Sequence, residues 1–205
     1  MISRAQERTL RGELTHEARA KMTALERGML KWAVIERDEK VLDANVGTGM
    51  IAEYLKRNAQ CEVCGVSDNM EDVKQARTRL QSCDIIYASA GDIPWRDQSF
   101  DTALLRMGDM EPDDISRSIG ELARVLKSGG QLVLGMESGL RLAMFSASAD
   151  AGEARRVDRR QVEAMLGDKG FVRFSYQRVS LGYGVLIAWK RKPSVEEAIE
   201  QAKEE

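Results

Sequence analysis

The chain has 205 residues, of which 43% are hydrophobic and 31% are charged. This length favours one compact domain with terminal extensions, and the composition excludes a chain that stays disordered. The formal net charge of −2 lacks the basic excess that general nucleic-acid binders show, so we expect no nucleic-acid partner.

Two features bear on membranes and export. The longest stretch without Asp, Glu, Lys or Arg, residues 179–189, is about half as long as the roughly 20 residues of a membrane-spanning helix. The amino-terminal sequence MISRAQERTLRGEL lacks the apolar block of a secretory signal. We therefore expect a cytoplasmic protein that does not enter a membrane.

An amphipathic helix is predicted at 17–35, because apolar residues recur there at spacings of three and four. They are Met22, Leu25, Met29, Leu30, Ala33 and Val34. Strands and helices then alternate. The predicted strands are 40–44, 61–66, 84–90, 100–107 and 131–136, and the predicted helices are 50–57, 71–81 and 113–126, with a turn at 127–130. Such alternation predicts a parallel sheet with helices on both faces.

The last third of the chain has a different pattern. Asp158 is a plausible N-cap for a helix that continues through Leu166. Two strands follow at 171–179 and 184–190, and the short link between them requires an antiparallel hairpin. After Pro193, Ser194 and Glu197 form the pattern of a capping box for a terminal helix.

The cysteines do not indicate a disulfide framework or a metal site. Their number is odd and no export signal precedes them, so we expect Cys61, Cys64 and Cys83 to be reduced. Cys61 and Cys64 have the spacing of half a zinc site, but QCEVCGV is typical of a strand, whose side chains three apart point to opposite faces. His16 is the only histidine, so we expect no metal ligand set.

A glycine-rich segment, VLDANVGTG, lies between the first predicted strand and the helix after it. It allows three interpretations. The first is a tight turn in which glycine permits positive φ. The second is a dinucleotide fingerprint, because residues 47–52 match G-x-G-x-x-A and Asp68 is an acidic residue about 20 positions further on. The third depends on a family resemblance that extends beyond this loop.

Four ordered motifs between about 41 and 190 resemble the class I S-adenosylmethionine-dependent methyltransferases. VLDANVGTG resembles that family's VLDxGxGxG, CGVSDNM resembles GVDxSxxM, GDIPWRDQSFD resembles GDAxxLPFxDxSFD, and ELARVLKSGGQLVLGMES resembles EIxRVLKPGGxLVLxxx. The last two are the specific ones, because a nicotinamide enzyme has no reason to carry SFD before its fourth strand or RVLKSGG before its fifth. The dinucleotide interpretation is therefore the weaker alternative.

The resemblance implies an α/β fold, a Rossmann-like doubly wound sheet that is mostly parallel. Its seven strands have the order 3-2-1-4-5-7-6, with strand 7 antiparallel. It also implies methyl transfer from S-adenosylmethionine, with S-adenosylhomocysteine as product. The expected organisation is a helical cap at 1–38, a class I methyltransferase domain at 39–192 and a helical tail at 193–205.

The same resemblance implies a cofactor site at the carboxyl edge of the sheet. Asp43 and the loop would hold the amino acid end of the cofactor, Asp68 the ribose, and Asp92 the adenine amino group, with Ile93 beside the ring. The full implied set is Asp43, Ala44, Asn45, Val46, Gly47, Thr48, Gly49, Asp68, Asn69, Asp92, Ile93 and Arg106.

The sequence departs from the family pattern at this edge. Asn45 stands where the family has its first glycine, so the expected loop would place Asn45 in a left-handed conformation, and Asn45→Gly would then tighten binding. Ser67 stands where the ribose-binding acid would be, and Asp68 follows it. The loop after Asp92 is short. These departures motivate an alternative, a noncatalytic binding or regulatory subunit that forms an oligomer through the amino-terminal helix or the carboxyl-terminal tail.

The sequence assigns no catalytic residue and no specific acceptor. The Asp/Asn-Pro-Pro-aromatic signature of nucleic-acid N-methylating enzymes is not found after the fourth strand. Asp109, Glu111 and Glu137 are near the carboxyl edge and are candidates to position or deprotonate an acceptor. His16 is a candidate base in the amino-terminal region. The segment 139–157, where relatives often elaborate acceptor recognition, is short and rich in small residues, so we expect a small-molecule acceptor.

Overall fold

The computed structural model describes residues 21–108, 110–137 and 157–194. The strands are β1 (Lys40–Asp43), β2 (Glu62–Ser67), β3 (Asp84–Tyr87), β4 (Phe100–Arg106), β5 (Leu126–Glu137), β6 (Phe171–Arg178) and β7 (Tyr183–Lys190). The helices are α1 (Ala24–Trp32), α2 (Met50–Ala59), α3 (Met70–Arg79), α4 (Pro112–Val125) and α5 (Arg159–Asp168). The expected terminal helix after Ser194, and also His16, Asp109 and residues 139–156, lie outside these ranges.

The strands form one sheet with the order β3-β2-β1-β4-β5-β7-β6, as the sequence predicts. β1 pairs in parallel with β2 and β4, and β7 lies antiparallel between β5 and β6. Asp43, the last residue of β1, is level with Gly65 of β2 and Leu104 of β4. β4 therefore extends past the end of β1 and places Arg106 beyond it.

Two apolar layers cover the two faces of the sheet. One layer contains Ile119 of α4 and Leu166 of α5, and the other contains Met29 of α1, Leu55 of α2 and Val73 of α3. Parallel strands are covered by helices on both sides for the reason that the alternating sequence indicates: each strand has two apolar faces to bury. None of the described helices has the length and apolar character that a bilayer crossing requires.

The two cysteines of the CxxC spacing lie in different layers. Cys64, within β2, packs with the layer of α4 and α5, and Cys61, just before β2, packs with the layer of α1 to α3. Both thiols are free and buried, and burial raises the pKa of Cys61 to about 12 and that of Cys64 to about 11. The prediction of opposite faces is confirmed.

The amino-terminal helix is shorter than predicted. It begins after Thr23, which forms a capping box with Glu26, and it ends at Trp32, since Ala33 is already extended. The prediction that Val34 is part of the helix is wrong. Its side chain is 45% exposed, and its backbone N–H and C=O instead pair with the amide side chain of Gln131 on β5. These two hydrogen bonds hold the backbone at Val34 in an extended conformation, which the apolar periodicity of the sequence does not predict.

Two further boundaries differ from the prediction. β3 ends at Tyr87 instead of residue 90, because the chain turns at Ser89, whose carbonyl accepts the Asp92 N–H. The expected turn at 127–130 is an irregularity within β5, where the β4 partner changes from Leu126 to Gln131. The predicted turn residues are therefore part of β5, with Gly129 in a left-handed conformation.

Gly65 provides a test of how closely the sheet supports the glycine-rich loop. A Cβ on Gly65 would lie 2.9 Å from a methyl group of Val46 and 3.0 Å from the Ile85 side chain. Val46 is branched and buried, so it cannot give way cheaply. We expect Gly65→Ala to lower the free energy of unfolding by about 1–3 kcal/mol.

The same substitution at Gly167 is the matched control. A Cβ there has nothing within 4 Å, and the residue lies in helix α5. We expect Gly167→Ala to stabilise the protein by up to about 1 kcal/mol. Chemical denaturation measures both values, and equal effects of the two substitutions would contradict the close packing at Gly65.

Candidate functional site

The glycine-rich loop, residues 44–49, connects β1 to α2 at the carboxyl edge of the sheet. Two of its residues have left-handed backbone, Gly47 with φ of 50° and Gly49 with φ of 81°. Gly49 is also the N-cap of α2. The loop thus uses its two glycines where positive φ is required.

Asn45 has a different role from the expected one. It is not among the described residues with positive φ, so the expected left-handed strain is absent. Its side-chain amide donates to the backbone carbonyl of Arg106 at 3.2 Å, and its own carbonyl accepts from the Arg106 guanidinium. Asn45 therefore ties the loop to the end of β4. The expectation that glycine would relieve strain at this position is wrong.

Asp43 is a buried carboxylate at the end of β1. It is 1% exposed, and within the described part of the chain neither of its oxygens has a donor in hydrogen-bonding geometry. Burial raises the pKa of Asp43, and the Glu26 carboxylate adds to this rise. The Arg106 guanidinium opposes it, as does the Asn45 backbone N–H, which lies near the carboxylate but does not meet the geometry of a hydrogen bond. A buried acceptor in this state favours a cationic or donating ligand group.

Arg106 connects the loop to the amino-terminal helix. Its Nη1 donates to Oε1 of Glu26 at 2.7 Å, and its Nη2 donates to the carbonyl of Asn45. Its Nε is buried and has no partner among the described residues. Glu26 is itself buried, and its second oxygen accepts from the backbone N–H and hydroxyl of Thr23. One cation thus lies between two buried carboxylates, Glu26 and Asp43.

The Arg106 guanidinium also lies against the glycine-rich loop. A Cβ on Gly47 would be 3.0 Å from its Nη2. From the other side, Nε of Arg79 on α3 donates to the carbonyl of Thr48 at 2.9 Å. Arg79 is held in turn by Glu53, whose carboxylate accepts from its Nη1 at 2.9 Å. Two arginines therefore fix the course of the loop through its carbonyl groups.

The end of β2 separates Ser67 from Asp68. Ser67 is buried and its hydroxyl accepts the backbone N–H of Asn69 at 3.1 Å. Asn69 is the N-cap of α3, and its side-chain oxygen accepts from the N–H groups of Glu71 and Asp72. Asp68 is exposed. At this strand end the exposed carboxylate is therefore that of Asp68, and Ser67 is buried.

The loop after β3 holds the other end of the candidate site. Asp92 is exposed, whereas Ile93 is 3% exposed and packs in the core. Glu121 accepts the backbone N–H of Ile93 at 2.8 Å, and Arg124 donates to its carbonyl at 2.9 Å. The burial of Ile93 leaves little of its side chain for contact with an adenine ring.

The comparisons with known proteins agree on the family. A model of the methyltransferase domain matches residues 42–134, which includes the glycine-rich loop and all of β4 and α4. This segment is therefore similar to a methyltransferase domain, in line with the family resemblance of the four sequence motifs. Because the matched segment includes the glycine-rich loop, the match favours the methyltransferase interpretation of this loop over the dinucleotide one. S-adenosylmethionine is the cofactor that this family and fold imply.

Two relatives and one solved structure show how far the similarity extends. A demethylmenaquinone methyltransferase of Thermotoga maritima is 37% identical over 97 residues, which are 47% of this chain and 42% of that protein. A ubiquinone/menaquinone biosynthesis C-methyltransferase of Rhizobium meliloti is 27% identical over 187 residues, which are 75% of this chain and 72% of that protein. The crystal structure of the cyclase SpnF has a TM-score of 0.69 and 20% identity, and covers 82% of this chain and 80% of that chain.

The similarity has two limits. The chain matches less than half the length of the Thermotoga relative, and the likeness to SpnF shows the fold alone. A cyclase with this fold also indicates that the fold does not by itself specify the reaction.

The sequence did not indicate three residues whose side chains support the candidate site. Glu26 precedes the family match, and no local motif marks it. Glu121 and Arg124 are within the ELARVLKSGG motif, but their partners are about 30 positions earlier, so the motif alone could not indicate the contact. Glu111, one of the carboxylates predicted to position a methyl acceptor, is exposed. It is the N-cap of α4, but its side chain makes no capping hydrogen bond.

The raised pKa of Asp43 gives the protein a defined pH response. A carboxyl whose pKa is higher in the folded than in the unfolded state stabilises the fold at low pH, and this contribution is lost as pH rises through the folded pKa. Asp43→Asn cannot titrate. We therefore expect the free energy of unfolding of the wild type to fall relative to that of Asp43→Asn as pH rises above about 4, the pKa of an aspartate in the unfolded chain.

Urea denaturation at several pH values measures this difference. Asp84→Asn is the matched control, because Asp84 is exposed at the opposite, amino edge of the sheet, at the start of β3. The difference between Asp84→Asn and the wild type should not follow the same trend. A wild-type protein that gains stability relative to Asp43→Asn with rising pH would contradict the buried, unpaired state of Asp43.

Proposed function

We propose that this chain is an S-adenosylmethionine-dependent methyltransferase that acts on a small-molecule acceptor. The observation that carries the proposal is the pair of opposite charges at the glycine-rich loop, the unpartnered carboxylate of Asp43 and the guanidinium of Arg106. The cofactor has an amino acid end with one ammonium and one carboxylate group. When bound, it supplies an electrophilic methyl group on a sulfonium sulfur.

Asp43 suits the ammonium group. Both of its oxygens are acceptors without donors among the described residues, and it is 1% exposed. A charge-assisted bond from an ammonium would satisfy an acceptor that is otherwise costly to bury. Its burial also excludes water from that contact, which strengthens the attraction.

Arg106 suits the carboxylate group. Its Nε is a buried donor without a partner among the described residues, and its Nη2 lies at the surface of Gly47. An arginine can bind a carboxylate through two parallel N–H groups. Gly47 has no side chain, so the backbone can approach a ligand there, and a Cβ would meet Arg106. These residues fit the amino acid end of the cofactor.

The adenosine part is proposed to lie across the ends of β2 and β3. Asp68 is exposed after β2 and suits the ribose hydroxyls, since a carboxylate accepts from both. Asp92 is exposed in the loop after β3 and suits the adenine amino group. Asn69 supports this region as the N-cap of α3.

A quinol-type compound is the first acceptor class to assay. Support comes from the two relatives, whose names place them in menaquinone and ubiquinone methylation. C-methylation moves the methyl group from sulfur to a ring carbon, and that carbon then loses its proton to a base. Transfer of a labelled methyl group to a short-chain demethylmenaquinol tests this class, and an amine or a phenol provides the comparison.

A noncatalytic subunit is the second candidate. One observation favours it: the Arg106 guanidinium already binds the Asn45 carbonyl and lies against Gly47, where a ligand would approach. In that case Arg106 and Glu26 would be structural, and α1 would be joined to the loop permanently.

Binding of S-adenosylhomocysteine tests the proposed function. We expect the wild type to bind it in titration calorimetry, and Asp43→Asn to weaken binding by about 10-fold or more, since a charged hydrogen bond is lost. Asp84→Asn should bind as the wild type does. No heat from the wild type at millimolar ligand would overturn the proposal and leave the noncatalytic subunit.

Arg106→Lys distinguishes a ligand-binding arginine from one that fills the site. Lysine keeps the charge near Glu26 and Asp43 but loses the two-pronged donor geometry. We expect binding of S-adenosylhomocysteine to weaken by about 10-fold and binding of 5′-methylthioadenosine, which lacks the amino acid end, to stay within about twofold. Tighter binding of S-adenosylhomocysteine would instead show that Arg106 obstructs the site.

A further inference from the structure

We propose that Glu121 and Arg124 of helix α4 are positioning residues that fix the 92–97 loop for the adenine end of the cofactor. The inference rests on the proposed function, because it assigns a role to that loop in cofactor binding. Neither side chain is proposed to touch the ligand. They act through the backbone of the loop, which connects β3 to β4.

The side chains of Glu121 and Arg124 bind the backbone N–H and C=O groups of Ile93. Oε2 of Glu121 accepts the Ile93 N–H at 2.8 Å, and Nη2 of Arg124 donates to the Ile93 carbonyl at 2.9 Å. The two side chains are also paired with each other, with Arg124 Nη2 at 2.7 Å and Nε at 2.8 Å from the two Glu121 oxygens. Ile93 is adjacent to Asp92, the residue proposed for the adenine amino group.

Arg124 reaches further along the same loop. Its Nη1 donates to the carbonyl of Trp95 and to Oδ1 of Asp97, both at 2.8 Å. With the contacts to Glu121 and Ile93, each of the five N–H groups of the guanidinium has an acceptor. Lysine has three donors on one nitrogen, so it cannot make this set of contacts.

The charge states agree with this geometry. Bonds from Arg124 and from the Ile93 N–H lower the pKa of Glu121, which stays ionised near neutral pH. The bonds to Glu121 and Asp97 raise the pKa of Arg124.

Apart from these bonds, two apolar side chains anchor the loop. Ile93 is buried, and Trp95 is half-buried and packs edge-on against Phe100, with ring centroids 5.5 Å apart. Asp92, Pro94, Arg96 and Asp97 are exposed. Apolar contacts of two side chains alone leave the backbone N–H and C=O groups between them free to change direction. Bonds from α4 to the N–H and C=O of Ile93 and to the carbonyl of Trp95 remove this freedom, so a ligand would not have to order the loop.

Substitution of Arg124 by methionine removes the bonds and keeps the apolar stem. We expect Arg124→Met to weaken binding of S-adenosylhomocysteine and of 5′-methylthioadenosine by the same factor, about 10-fold, because both ligands carry adenine. A general loosening of the fold would also weaken the amino acid end, so S-adenosylhomocysteine would then lose more. Arg124→Lys should retain part of the affinity.

Arg117→Met is the matched control. Arg117 is on the same helix and pairs with Asp114 three positions before it, as Arg124 pairs with Glu121. Its side chain is exposed, and among the described residues it bonds to Asp114 alone. Binding should be unchanged. Glu121→Gln is the second variant; it should weaken both ligands by an equal but smaller factor.

Trp95 gives a readout that does not need a ligand. With Trp32 and Trp189 replaced by phenylalanine, the emission reports on the loop alone. We expect Arg124→Met to raise quenching by acrylamide by about twofold, since the Trp95 carbonyl loses its donor.

The inference is overturned if folded Arg124→Met and Glu121→Gln bind both ligands within about twofold of the wild type. If the wild type itself binds neither ligand, the proposed function fails, and the inference fails with it.

Discussion

The candidate site depends on the pairing of β1 with β4 at the centre of the sheet. The strand order reverses there, so the chain leaves β1 toward one side and β4 toward the other, and a crevice opens between the two loops. β4 extends two residues past the level of Asp43, which brings Arg106 beside the glycine-rich loop. The opposite charges at the loop are therefore a consequence of strand register. A shift of one residue in β4 would turn Arg106 to the other face of the sheet.

Burial makes the charges around Arg106 interdependent. Asp43 and Glu26 are both buried carboxylates, and Arg106 is the cation between them. The ion pair with Glu26 does not neutralise Asp43 as well, which is why burial still raises the pKa of Asp43. The buried carboxylate of Asp43 destabilises the fold, and it lies where the positive group of the ligand is proposed to bind. Structural optimisation alone would favour an apolar residue or a paired one at this position.

The sequence predicted the fold more completely than the site, for physical reasons. The alternation of strands and helices depends on apolar periodicity and on short connections, which are local and repeat along the chain, while the family resemblance implied the strand order. The errors were at element ends, as at Val34, where a distant side chain, that of Gln131, fixes the backbone. At Asn45 the residue type suggested left-handed strain, but a hydrogen bond to Arg106 gives the residue a different role. No sequence pattern indicates such contacts, whose partners are 97 positions apart for Val34 and 61 for Asn45.

The two most specific motifs of the sequence explain each other in the structure. GDIPWRDQSFD supplies the carbonyls of Ile93 and Trp95 and the carboxylate of Asp97, and ELARVLKSGG supplies Glu121 and Arg124, which bind them. The contact lies entirely within the segment that matches the family model. Glu26, by contrast, precedes that segment and reaches the loop through Arg106. The proposed adenine end therefore lies within the segment that matches a methyltransferase domain, whereas the proposed amino acid end also involves Glu26, on a helix that precedes the match.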